Sequence, residues 1–155
     1  MEVKIKKLVK NAVIPTYAKL GDAGMDLTAV SCTEDSDGNI VYGTGLAFEI
    51  PEGYVGLIFP RSSNAKHDLL LSNSVGVIDS GYRGEVILKF KPHWSKATMY
   101  DPNIYLGRKD EKDYKVGERV GQIMIIPYPH IDFVVSDELS KTERGDGGFG
   151  HTGLK

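Results

Sequence analysis

Eighteen glycines and seven prolines punctuate the 155-residue chain at short intervals, and almost nowhere between them do apolar residues recur at helical spacing over three turns. Such punctuation confines the chain to brief extended segments. Val3 and Ile5 alternate with Lys4 and Lys6, as in a strand with one wet face. Residues 46–50, 54–59, 86–90 and 120–126 are short β-branched or aromatic runs, each bounded by glycine or proline. Strands this short and this closely spaced predict an all-β fold: an antiparallel sandwich, jelly roll or barrel. Helix is expected only at 62–67, with Ser62 or Ser63 as its cap.

The length suits one domain, read as a β domain at 1–140 followed by a glycine-rich arm at 141–155. Within the domain, 91–115 is polar, carries Trp94, Tyr100, Tyr105 and Tyr114, and is too long for an ordinary hairpin loop. It is expected to be an excursion with its own small hairpin. The arm contains Arg144-Gly145-Asp146-Gly147-Gly148-Phe149-Gly150-His151-Thr152-Gly153, too poor in apolar surface to fold unless a partner or ligand orders it.

Several function classes drop out on composition. A formal net charge of −2 gives no global attraction to phosphate polymers, so nucleic-acid binding is not expected and any anion must be held locally. The single Cys32 excludes an intrachain disulfide, and His67, His93, His130 and His151 lack the spacing of a structural zinc site. No apolar run approaches the length of a membrane span, and the opening residues alternate charge with aliphatics, so a cytoplasmic location is expected.

Local anion recognition has a candidate in Pro60-Arg61-Ser62-Ser63, where a guanidinium, two hydroxyls and the N–H groups of a helix start share one loop; a plain capped turn would read the same way. Asp79 follows three strand residues and precedes a turn containing Gly81, which is free to take positive φ. Partly desolvated, it suits a general base for water; otherwise it is a turn residue. Tyr82 is either a packed aromatic past that turn or a substrate contact. In Ala23-Gly24-Met25-Asp26-Leu27 a second acid sits among small and apolar residues, fit to pair with an arginine or to face a hydrated metal ion.

These segments, with Gly76-Val77-Ile78-Asp79-Ser80-Gly81-Tyr82-Arg83-Gly84-Glu85, Gly117-Glu118-Arg119-Val120-Gly121-Gln122 and the arm, resemble in order the five motifs of the trimeric dUTPase family. The resemblance implies a β jelly roll or distorted barrel, a homotrimer with exchanged arms, and Mg²⁺-assisted cleavage of dUTP to dUMP and pyrophosphate. It implies that Asp79 activates the attacking water, and that Asp26 touches the metal only through water. Arg61, Ser62, Ser63 and Gln122 would hold the phosphates, while Arg119 pairs with an acid to brace the site. Asn73 would read the base from a hairpin at 73–82 whose Val77 and Ile78 backbone excludes a C5 methyl group. Tyr82 would gate the sugar and Ile87 floor the pocket. From the arm, Arg144 would reach the γ-phosphate, Phe149 stack on uracil, and Gly150 and Thr152 complete the closure.

The chain departs from the family pattern at Gly81, where many members carry a second Asp, at Ser63-Asn64, where Gly-Leu is commoner, and at His151, where the family has Ser. Two alternatives stand beside the hydrolase. A dCTP deaminase of the same fold shares the Arg-Ser-Ser signature, but would need a catalytic Glu where this chain has Lys89. A regulatory trimer would use 91–115 to bind a protein partner.

Overall fold

The computed structural model describes residues 1–92 and 113–148. Runs with β-branched or aromatic residues on one face and turn formers at each end supply several of its strands, and backbone pairing draws in the rest. In chain order these are β1 (Lys4–Lys7), β2 (Met25–Thr28), β3 (Ser31–Glu34), β4 (Ile40–Gly43), β5 (Leu46–Glu49), β6 (Tyr54–Phe59), β7 (Leu69–Leu71), β8 (Gly76–Ile78), β9 (Ile87–Pro92) and β10 (Arg119–Pro127). One 3-10 helix, Ser62–Lys66, lies between β6 and β7.

All the pairings are antiparallel, with β2-β10-β6-β8 forming one four-stranded sheet, β3-β4-β9-β7 a second, and β1-β5 a ribbon. Side chains alternate across each strand, so β9 turns Leu88 and Phe90 inward and Ile87 and Lys89 outward. Leu27, Ile58, Val120 and Ile123 of the first sheet share one core with Ile40, Tyr42, Leu88 and Phe90 of the second, and Leu46 and Phe48 of β5 join them. This is the expected jelly-roll barrel. No helix among the described residues is long and apolar enough to cross a membrane.

Three local features differ from expectation. The short helix is 3-10, its cap position is Arg61, and no side chain caps it; the Ser63 hydroxyl accepts from the Arg61 guanidinium at 3.0 Å. The 73–82 segment is not a two-stranded hairpin, because β8 ladders with β6 while the returning β9 belongs to the other sheet. Gly81 does not take positive φ. The small hairpin and partner surface expected of 91–115 fall largely on 93–112, outside the described residues.

Candidate active site

Asp26 on β2 lies directly opposite Gln122 on β10, which in turn lies opposite Phe59 on β6. The row brings the 24–27, 60–63 and 117–122 segments to one edge of the first sheet. Asp26 has both carboxylate oxygens engaged: Oδ1 accepts from Arg61 Nε at 2.7 Å and Oδ2 from an Arg119 Nη at 2.9 Å. Arginine pairing, one of the two roles open to it, is thus made twice. Gln122 Nε2 donates to the Pro60 carbonyl at 3.1 Å, tying β10 to the start of the donor loop. A Cβ at Gly24 would come within 2.5 Å of Gln122 Oε1, so a side chain there would push the amide out of place.

Arg119 and Gln122 are three residues apart, and strict alternation would send them to opposite faces of β10. A β-bulge between Arg119 and Gly121 changes the phase. Val120 and Gly121 both turn to the core, leaving Arg119 and Gln122 together on the Asp26 side. Glycine is needed at 121: a Cβ there would overlap Leu88 Cδ2 and lie 3.1 Å from the Phe59 carbonyl oxygen.

Beside this row is a cavity of about 290 Å³ lined by Arg61, Ser63, His67, Tyr114, Glu118 and Arg119. Tyr114 is 4% exposed and stacks on His67 at 3.8 Å between ring centroids. Its hydroxyl donates to Asn64 Oδ1 at 3.3 Å, and its carbonyl accepts from the Tyr42 hydroxyl at 3.1 Å. Burial pushes both phenols above the ordinary tyrosine range, so both stay protonated donors. Sequence reasoning overlooked Tyr114, His67 and Asn64 as site residues. Their signal was faint: an aromatic at the end of a polar stretch and a histidine just past the helix.

A second cavity, about 140 Å³, is lined by Val77, Ile78, Asp79, Tyr82, Val86 and Ile87. Asp79 is exposed, just past β8. The turn after it closes with the Tyr82 N–H on the Asp79 carbonyl at 3.0 Å, and one Arg83 Nη donates to the carbonyls of Ser80 at 2.6 Å and Tyr82 at 2.9 Å. Arg83 thus braces the turn that contains Gly81. The Tyr82 hydroxyl donates to the Glu85 carbonyl at 3.0 Å. Before β8, the Val75 N–H closes a three-residue turn on the Asn73 carbonyl at 2.6 Å, and Ser74 at its centre takes φ 60°. Left-handed backbone at a residue other than glycine is strained and concentrates at functional positions.

The site residues therefore fall into two groups. Ile78 pairs with Gly56 in the middle of β6, whereas Arg61 lies beyond the far end of that strand. At ~3.3 Å per strand residue, Asp79 and Arg61 of one chain stand roughly 15–20 Å apart. Ser62 is exposed beside Arg61. Arg144 turns on its own segment, its Nε donating to the Gly147 carbonyl at 3.0 Å. Phe149, Gly150 and Thr152 lie outside the described residues. Among the described residues no group of three or more His, Cys, Asp or Glu could hold a metal ion.

An antiparallel barrel with a braced arginine-serine loop at one end of a sheet and an exposed acid past a short strand defines an all-β protein with two separate polar sites on one chain. The family model of dUTPase matches residues 10–100 and 103–153. A deoxyuridine 5'-triphosphate nucleotidohydrolase of Nautilia profundicola is 40% identical over 155 residues, covering 99% of each chain, and one of Hydrogenobaculum sp. is 36% identical over 161 residues, covering all of both. The solved dUTPase of Staphylococcus bacteriophage 80alpha with dUPNHPP superposes with TM-score 0.80 at 29% identity over 99% of each chain. The chain belongs to the dUTPase family.

Proposed function

We propose that the protein hydrolyses dUTP to dUMP and pyrophosphate in a site shared among three copies of the chain. The observation that carries this reading is the separation of the parts: within one chain the acid and the donor loop sit at opposite ends of the β6–β8 ladder, each lining its own cavity. The cavity at Asp79 is about half the volume of the smallest ordinary small-molecule pocket, roughly 300 Å³. A second copy supplying its Arg61 loop opposite Asp79 would complete both. Apolar exposure supports assembly: Phe133, Val134, Val135 and Leu139 follow β10 at 89–97% exposure, and burying each on a neighbour is worth about 1.5–3 kcal/mol.

In the completed site, Asn73, fixed beside the strained Ser74 turn, reads the uracil edge through its amide. The Val77 and Ile78 backbone crowds C5 and Ile87 floors the base. Tyr82, anchored through its hydroxyl, stacks under the deoxyribose and leaves no room for a 2′-hydroxyl. Asp79 takes a proton from a water that attacks the α-phosphorus, and the bond from that phosphorus to the bridging oxygen breaks. Arg61, Ser62, Ser63 and Gln122 hold the phosphate chain and stabilise the charge that gathers on the departing pyrophosphate. Arg144 reaches the γ-phosphate, while Phe149, Gly150 and Thr152 close over the nucleotide from the 141–155 arm, expelling water.

The donor set suits a Mg²⁺ ion carried by the substrate. Both Asp26 oxygens are committed to arginines, so Asp26 would help to hold the ion only through water, and the substrate's phosphate oxygens would bind it directly. When bound, Mg²⁺ supplies positive charge to those oxygens. Lys89 pairs with Asp35 at 3.2 Å and offers no acid for deamination at C4 of cytosine.

Incubating the protein with Mg²⁺ and each of dUTP, dCTP, dTTP and UTP tests the reading. dUMP and pyrophosphate from dUTP alone are expected. Conversion of dCTP to dUTP, or no conversion of any nucleotide, would refute it.

A further inference from the structure

The donor loop has little of its own to hold it. The 3-10 helix at Ser62–Lys66 lacks a side-chain cap and contributes no buried residue. Isolated turns of this kind are unstable, because few hydrogen bonds offset the backbone ordering they require. Something outside the loop must fix Arg61, Ser62 and Ser63 with the accuracy a phosphate contact demands.

We infer that Tyr114 is a positioning residue for this loop, a strut that carries the rigidity of the core to the triphosphate donors beside the Asp26 and Gln122 contacts at Arg61 and Pro60. Its ring belongs to the core, meeting Tyr42 edge-on at 6.0 Å and Phe90 at 6.1 Å between centroids. Its backbone is locked by the Tyr42 hydroxyl on its carbonyl at 3.1 Å. Its outer end meets the loop. The hydroxyl donates to Asn64 Oδ1 at 3.3 Å, the ring stacks on His67, which closes the helix, and Ser63 lines the same cavity as the ring. Ser63 in turn accepts from Arg61 at 3.0 Å, and Asn64 Nδ2 donates to the Leu69 carbonyl at 2.8 Å. A path therefore runs from the core through one phenol to Asn64 and His67 of the helix that follows Arg61, with no step in which Tyr114 touches substrate. Of the Ser63-Asn64 pair, where Gly-Leu is commoner in the family, Asn64 supplies the polar partner of that phenol and Ser63 that of Arg61. A Gly-Leu pair has no side-chain hydrogen-bonding group, so this chain has a way of fixing its loop that the commoner sequence does not provide.

The inference rests on the proposed reading of the loop as the holder of the phosphates, and its test separates the two. Tyr114→Phe keeps the core packing and the His67 stack but removes the hydroxyl. With the full chain, dissociation constants for dUMP and for the imido analogue dUpNHpp are measured by calorimetry, alongside KM and kcat for dUTP. The strut predicts that Tyr114→Phe weakens dUpNHpp about three- to tenfold, as loss of one net hydrogen bond would. It predicts no change for dUMP, whose base and sugar are held at 73–87, and a rise in KM larger than any fall in kcat. Tyr114→Leu, which also loses the stack, should show the same contrast more strongly. Equal weakening of both nucleotides, or a lower melting temperature with neither affinity changed, would overturn the inference and leave Tyr114 a core residue only. Failure of the wild-type chain to bind either nucleotide would instead overturn the reading of the loop.

Discussion

Replacing Asp26 by asparagine removes the charge that orients two guanidiniums while preserving the side chain's shape. Asp26 and Arg61 are 29% and 24% exposed as side chains, and their contact is 2.7 Å. A hydrogen bond to a charged group is worth about 1.5–3 kcal/mol when screened from water, and partial exposure trims this to about 1–2 kcal/mol. Arg119 is 57% exposed, so its 2.9 Å contact adds at most about 1 kcal/mol. Loss of about 2 kcal/mol in total corresponds to a melting temperature lower by about 4–8 °C. To the extent that Arg61 drifts from the phosphates, it also corresponds to a five- to thirtyfold loss of kcat/KM, roughly. Calorimetric binding of dUpNHpp, run in EDTA and again in Mg²⁺, separates a brace from a metal ligand. Because the guanidinium pair exists without the ion, Asp26→Asn should weaken the analogue in both media. Wild-type affinity in EDTA, with a loss only in Mg²⁺, would refute the brace and make the carboxylate's contact with the hydrated metal its function.

Two further outcomes follow from the geometry. Gly121→Ala should cost about 1–3 kcal/mol by urea denaturation, because its Cβ overlaps buried Leu88 and crowds the Phe59 carbonyl; a change under about 0.5 kcal/mol would mean that the bulge relaxes freely. Asp35 in the β3–β4 turn is held at about 2, chiefly by the Asn39 backbone N–H and then by the Asn39 amide, with Lys89 assisting. A depressed carboxyl pKa stabilises the fold above its unfolded value, near ~4, and that stability is lost as pH falls toward 2. Thermal melts from pH 5 to 2 should therefore fall less steeply in Asp35→Asn than in the wild type, and identical slopes would contradict the assignment.

How far the sequence carried depended on whether a segment's structure was decided locally. The runs at 54–59 and 120–126 were legible as strands because β-branched residues fill them and glycine or proline bounds them, and they became β6 and β10. β3 was not: Ser31–Glu34 is exposed at every residue, so it carries no apolar alternation and is extended only because its backbone pairs with β4. The serine cap was anticipated from propensity, yet the guanidinium of Arg61 lies within reach of the Ser63 hydroxyl and engages it. Their own segments marked Asp26 and Arg61, the resemblance to the family marked Arg119 and Gln122, and the expected pairing of Arg119 with an acid is made by Asp26. Nothing in Val120-Gly121 announced the bulge that places Arg119 and Gln122 on one face. Tyr114 was hidden for the same reason: its neighbours in sequence are polar, and only the tertiary fold turns its ring inward.

Subunit complementation tests the shared site most directly. Asp79→Asn lacks the acid and Arg61→Ala lacks the principal donor, so each is expected to be nearly inactive alone. The two are mixed in equal amounts, unfolded and refolded together, and assayed for pyrophosphate release from dUTP. If the acid and the donor loop of each site come from different chains, half of the acids and half of the loops are intact and assort independently. About a quarter of wild-type turnover should then return. Activity no greater than the sum of the two parents, in a mixture shown to contain both chains in one assembly, would contradict the account.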